Sequence, residues 1–279
     1  MQAIATTMTN QRGQSQDART RALVRFNGLT FHSLAAASFL ETAVPLHVNR
    51  LAPVFAAYPD VQLWLEQVWW AGRAELGRQL RGHVEATWPE FDWNAAYREF
   101  HDQYRPCSGL RGRHLTVAHE ALGLCVTAAQ AAVFYRALAH SADEPALRDL
   151  ARRAARDHAG YFDFFRALLE RCKRVERVGF GATWRTAIAI SRSARDDDVA
   201  AAFEPLVRNW NGTSIVPAFG YPEFRDRMAQ FIQRHAALGA IERLLFRPWL
   251  ERERAAPVPQ APVVRTGRWL SHAVQAGAA

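Results

Sequence analysis

The sequence predicts an all-α helical bundle, and three observations carry that prediction. Apolar residues recur at helical spacing through most of the chain, no stretch sustains the two-residue alternation of a strand, and Pro, Asp and Gly punctuate the periodic stretches where helices begin and end. Taken in order, residues 1–20 are rich in Gln, Thr, Ser and Asn and read as a flexible N-terminal arm. Leu34, Phe39, Val44, Val48, Leu51 and Val54 then predict a helix over 30–56, in which Pro45 either kinks one rod or separates two shorter helices. Tyr58-Pro59-Asp60 is a turn and cap, after which a second long helix runs to Ala86. A short helix is expected over 93–104, with a loop through Pro106, Gly109 and Gly112.

A third long helix, rich in Ala and so able to pack closely, is expected from Leu115 to His140. Asp143-Glu144-Pro145 opens the fourth, which continues to Lys173. Helical passages follow at 183–194 and 197–209, and a last long helix covers 223–252 before Pro257, Pro259 and Pro262 stop regular structure. The expected organisation is a single helical-bundle domain over 21–253 with a flexible Pro-containing tail over 254–279.

Hydrophobic residues make up 49% of the chain, with 9 Trp and 16 Phe, which is ample material for a core. No uninterrupted run of eighteen apolar residues occurs and the N-terminus lacks an apolar leader segment, so a cytoplasmic protein without a membrane span is expected. Cys107, Cys125 and Cys172 are widely spaced and read as small core residues rather than a disulfide or thiolate framework. The net charge of +8 rests on arginine, since Lys173 is the sole lysine. Such a balance suits an acidic partner, a carrier protein or nucleic acid. The arginines are dispersed among acids, as where Arg152, Arg153 and Arg156 alternate with Asp149 and Asp157, which argues against a nucleic-acid surface.

The stretch with most chemistry in it is ARDHAGYFDFF, where His158 and Tyr161 stand three apart on a helical background. Di-iron carboxylate bundles carry a Glu and a His at this spacing, projecting toward the metals. The segment resembles a pattern like DENLHMIFY of the acyl-carrier-protein desaturases, a ferritin-like di-iron family, and Pro145 stands thirteen residues before His158 as the family's Pro stands before its Glu. LETAVP is similar to the family's LTEDNLP and places Glu41 on its first ligand glutamate; QVWWAGRAELG is similar to NRWTAEENRHG, with Gly77 in common. Val126-Thr127 opens a stretch like VTFQE. Gln130 then takes the third-helix ligand place, or Ala131 after a one-residue slip. The region 216–221 and the last helix resemble later parts of the family, and the likeness covers residues 35–250.

The resemblance implies a ferritin-like bundle with additional C-terminal helices, a hydrophobic acyl substrate, an acidic acyl carrier protein as partner, and a homodimer. It also implies six metal ligands, of which this chain keeps one. Arg73 and Leu76 replace a Glu and a His, Gln130 replaces a Glu, and His158 and Tyr161 replace a Glu and a His, leaving Glu41. An arginine, which stays charged, would repel a metal cation at ligand distance. No di-iron cofactor is therefore expected; a single metal held by Glu41, His158 and one further residue stays open on ligand count.

A buried ion pair between Glu41 and Arg73 is expected instead, with Gln130, His158 and Tyr161 completing a polar network. These five are the candidate catalytic residues. His158 or Glu41 would move a proton, Tyr161 would donate to or orient the substrate, and Arg73 would stabilise an oxyanion. Glu75 should face away from the core. Glu66, seven before Arg73, should share its face and is either a second internal acid or, the favoured reading, a helix-end charge; His119 shares the face of Gln130; Trp69 and Trp70 read as packing.

The expected function is that of a metal-free desaturase-like protein binding an acyl or carrier-linked substrate in the former di-iron pocket and performing non-redox isomerisation, dehydration or cyclisation. One alternative is a catalytically silent lipid- or carrier-protein-binding or regulatory homologue. The other is a dioxygen-dependent desaturase or oxygenase with an unorthodox metal site.

Overall fold

The computed structural model describes residues 24–106, 116–176, 198–210 and 220–235. The expected arm over 1–20, the helix over 183–194, the end of the last helix beyond His235, the tail and Cys107 lie outside the described residues. Within them the fold is all-α, and an isolated bridge between Phe91 and Trp210 is the sole extended pairing among the described residues. The helices among the described residues include α1 Gly28–Thr42, α2 Val44–Val54, α3 Pro59–Trp64, α4 Ala71–Thr87, α5 Trp93–Gln103, α6 Val117–Ser141, α7 Pro145–Glu176 and α8 Tyr221–His235. Residues 198–208 are helical as well. The chain divides into two compact units. The first comprises Met1–Pro106, Ala139–Arg152 and Val199–Tyr221, the second Cys107–Leu138, Arg153–Asp198 and Pro222–Ala279.

The first unit is organised on α1. The Asn27 side chain accepts from the Thr30 N–H at 3.1 Å and so starts the helix. Phe31, Leu34, Ala35, Phe39 and Glu41 are all buried, as are His32, Ser33 and Ser38, so most of this helix faces the interior, and Leu29, Thr30, Ala37, Leu40 and Thr42 are partly exposed. Its polar side chains turn back on the main chain. His32 Nδ1 lies 2.7 Å from the Gly28 carbonyl, Ser33 donates to Leu29, and Ser38 donates to Ala35 at 2.7 Å while accepting from Trp93 Nε1 at 2.8 Å. Around it Phe31 meets Trp88, Phe91 and Trp210 edge-on, and Phe39 meets Trp93, Tyr97 and Phe100.

The expected helix over 30–56 is two helices that meet at Ala43. Pro45 sits in the first turn of α2, where its missing N–H costs nothing, so the proline starts a helix instead of kinking one. Pro59 opens α3 in the same way, and the Asp92 side chain caps α5 by accepting from the Ala95 N–H at 2.9 Å. The second long helix is not uniformly α: Leu65–Trp70, between α3 and α4, is π-helical. In an α-helix of about 3.6 residues per turn, positions four apart drift by roughly 40° at each step. The wider i→i+5 turn absorbs that drift, so Val61, Leu65, Trp69 and Arg73 stay on the inner side. The same turn leaves Glu66 exposed, off the face it is expected to share with Arg73, so that it is a surface charge and not an internal acid.

α4 packs principally against α1. The two backbones come close at Gly77, where a Cβ atom would meet Thr42 Oγ1 at 2.7 Å and the Thr42 nitrogen at 2.8 Å. Within the same unit His83 of α4 faces the buried Glu144 carboxylate at 3.7 Å.

The second unit contains most of α6 and α7, which are joined by the short turn 142–144. At the far end of the pair the Glu176 carboxylate accepts from the Val117 and Ala118 N–H groups at 2.8 and 3.0 Å, satisfying two donors that the α6 terminus would otherwise leave open. Phe231 and Ile232 of α8 pack on Val133 and Ala137, and Cys125 and Cys172 are buried, as expected of core residues. By length and composition α6 could cross a membrane, but 72% of that apolar window is buried inside the structure, as in a core helix.

The contact at Gly77 yields a comparison within one helix. Gly77→Ala should destabilise the protein by about 1–3 kcal/mol because the methyl group meets main chain that cannot move aside. Gly82→Ala, with nothing within 4 Å, should stabilise it by up to about 1 kcal/mol through helix propensity. Urea denaturation of the two variants checks both signs.

Candidate functional site

The site is built from the C-terminal end of α1, the first turns of α2 and α4, and the residue after α5. Glu41 comes at the end of the buried α1, with its side chain 5% exposed. A lone carboxylate there would be strongly disfavoured. It is matched from α4, where Arg73 Nε lies 2.6 Å from Glu41 Oε2, and a terminal Arg73 nitrogen donates to the Leu40 carbonyl at 3.0 Å. The anticipated ion pair is therefore present. The guanidinium is covered by Trp69, one turn earlier, whose ring centroid lies 5.0 Å from the guanidinium carbon. Trp69 holds this place because of the π-helical turn, whereas Trp70, expected to pack with it, is exposed because its side chain leaves the helix on the outer side.

Two residues without a part in the expected constellation join the pair. His47, in the first turns of α2, is half-buried, and its ring meets Trp69 edge-on at 6.1 Å. His47 Nε2 lies 3.0 Å from the hydroxyl of Tyr104, which follows α5 and is itself stacked on Phe100 at 4.6 Å. Burial, then the Arg73 guanidinium and then that of Arg50 hold the His47 pKa well below the ordinary imidazole value, against the opposing pull of Glu41. The imidazole is consequently neutral at neutral pH, able to act as base or acceptor.

Of the other candidates, Glu41, Arg73 and Leu76 lie in the first unit and Gln130, His158 and Tyr161 in the second. His158 is buried, stacked on Tyr135 at 5.3 Å and edge-on to Tyr161 at 5.4 Å, so the helix spacing does bring His158 and Tyr161 together. Gln130 is partly exposed on α6. Glu75 is engaged on the surface by Arg78 and Gln79. His119 belongs to the start of α6, with its Nδ1 3.1 Å from the Thr116 hydroxyl.

The metal pair that the resemblance implies does not fit these residues. Of the positions the resemblance assigns to ligands, Glu41 is bound by Arg73 and Leu76 is a buried apolar side chain. Among the described residues no group of three or more His, Cys, Asp or Glu side chains is placed to hold a metal ion. No protein-family model, curated protein or solved structure matches the chain.

The spacing of Glu41 and Arg73 along their helices was readable, whereas His47 and Tyr104 carry no local signal. They are 57 residues apart, and their encounter depends on how α2 and α5 are folded against the same helix.

Removing one half of the ion pair should cost more than removing both. Glu41→Ala, which strips Arg73 of its carboxylate, should lower stability by about 3–5 kcal/mol. The double replacement Glu41→Leu with Arg73→Met should recover most of that, as measured by guanidinium chloride unfolding. A second outcome concerns pH. Both His47 and His32, the latter lowered chiefly by burial, bind protons less readily folded than unfolded. The unfolded chain thus takes up protons first as pH falls through 6.5, and stability, complete above that value, declines below it. Unfolding midpoints followed downward from neutral pH should show this loss, and His47→Gln should flatten it.

Proposed function

We propose that the protein is a metal-independent relative of the acyl-carrier-protein desaturases that binds an apolar acyl compound, free or on an acidic carrier protein, and acts on it by acid and base chemistry. The observation that carries this reading is the 2.6 Å contact of Arg73 with Glu41. It engages, with a permanent cation, the carboxylate that the resemblance assigns to metal. Dioxygen chemistry has no agent in that arrangement, whereas a neutral imidazole, a phenol and an anchored guanidinium are the tools of proton transfer and oxyanion stabilisation. Gln130, His158 and Tyr161 are proposed to serve the same protein from the second unit, and the net charge of +8 suits an acidic carrier.

A second reading, a silent acyl- or carrier-binding homologue, draws on the close aromatic packing beside the pair. Phe39, Tyr97 and Phe100 are in mutual ring contact, and Tyr104 continues the row.

Iron analysis of protein purified after iron-supplemented growth tests the metal-independent part. Far less than one iron per chain is expected, and two irons per chain would overturn it. Titration with a fluorescent long-chain acyl probe tests the ligand class: saturable binding is expected, and its absence sinks both readings.

A further inference from the structure

We propose that His47, with Tyr104 as its hydrogen-bonded partner, is the proton-transferring residue of this protein, acting on the carbon beside the carbonyl of an unsaturated apolar acyl thioester. The proposal rests on the acyl-binding reading and deepens it by naming the reacting group and the substrate class.

Three observations converge on His47. Its partner is a hydroxyl 3.0 Å away, supplied by a different element, which is the arrangement of an acid and base held ready together. It is half-buried, whereas His32 and His158 are buried, the first spent on the Gly28 carbonyl and the second stacked on Tyr135 and edge-on to Tyr161. It also shares Trp69 with the Arg73 guanidinium, so a cation lies beside the imidazole and is held in place by Glu41 and by the Leu40 carbonyl. The charged and titratable groups around it are Arg50 on its own helix, Glu41 from α1, Arg73 from α4 and the Tyr104 phenol after α5. Their combined effect with burial keeps the imidazole unprotonated, the form a base requires.

The step balances without a co-reactant. When Nε2–H donates to the Tyr104 oxygen, Nδ1 carries the lone pair. Nδ1 takes the proton from the carbon between the thioester carbonyl and a β,γ double bond. The C–H electron pair moves into the conjugated dienolate, whose oxygen charge Arg73 or the Tyr104 hydroxyl stabilises. The imidazolium then returns the proton to the γ carbon, and the double bond ends conjugated with the carbonyl.

The test uses the full chain and a β,γ-unsaturated medium-chain acyl thioester of N-acetylcysteamine in deuterated buffer. Conjugation is read by ultraviolet absorbance and deuterium uptake by mass spectrometry. Wild-type protein should catalyse both, and His47→Ala should lose about 100-fold or more. Tyr104→Phe should lose less, with a shifted pH profile. His47→Gln, which keeps a polar side chain of similar reach, controls for folding and should be equally inactive. If both His47 variants are folded and retain the wild-type rate, or if the loss occurs in His158→Ala instead, the proposal is overturned. If wild-type protein binds the saturated thioester but neither exchanges nor isomerises the unsaturated one, the proposal fails while acyl binding stands. If it binds neither, the acyl reading itself fails.

Discussion

The Glu41–Arg73 ion pair is the constraint around which the first unit is arranged. Glu41 is buried at the end of a helix that is itself mostly buried, and a carboxylate in that position is tolerated only with a matched cation and good hydrogen-bond geometry. Arg73 meets both needs, yet it can do so only because α4 lies close against α1. That approach requires Gly77, where any side chain would meet the Thr42 main chain. It also requires the π-helical turn that keeps Trp69 and Arg73 on one side. Helix contact, backbone irregularity and charge pairing are thus parts of one solution.

A buried ion pair is seldom the most stable way to fill a core, since well-packed apolar residues of similar volume often do as well or better. Its presence is more informative about specificity and chemistry than about stability. Here the pair is flanked by a half-buried histidine with a lowered pKa and by a buried tyrosine hydroxyl. A histidine with a lowered pKa beside an ion pair and a phenol hydroxyl has the make-up of an acid and base site. The rest of α1 has no comparable group, because His32, Ser33 and Ser38 are all committed to the main chain of their own helix.

Helix boundaries were legible wherever local chemistry sets them. Pro59 and Pro145 open helices because a proline in the first turn lacks only an N–H that would have no partner, and Trp93 begins α5 because Asp92 is in position to cap it. Pro45 was legible as an interruption, and the structure decided between the two forms it could take. The π-helical turn was not legible: LEQVWW has no residue that forbids an ordinary α-turn, and the widening is selected by burying Leu65 and Trp69 together while Val68 and Trp70 are left outside.

By itself the sequence determined the all-α class, the order of the helices, and the meeting of residues that share one helix face, such as His158 and Tyr161. Those properties follow from periodicity and caps, which act over a few residues. It also marked Glu41 and Arg73 as chemically suited to each other, an acid and a permanent cation on neighbouring helices. Only the tertiary structure decided that His47 and Tyr104 join them, that Glu66 does not, and that Gly77 sets the distance between α1 and α4. The physical reason is range. Such contacts depend on how separate helices dock and rotate against one another, and no pattern within a single helix encodes that.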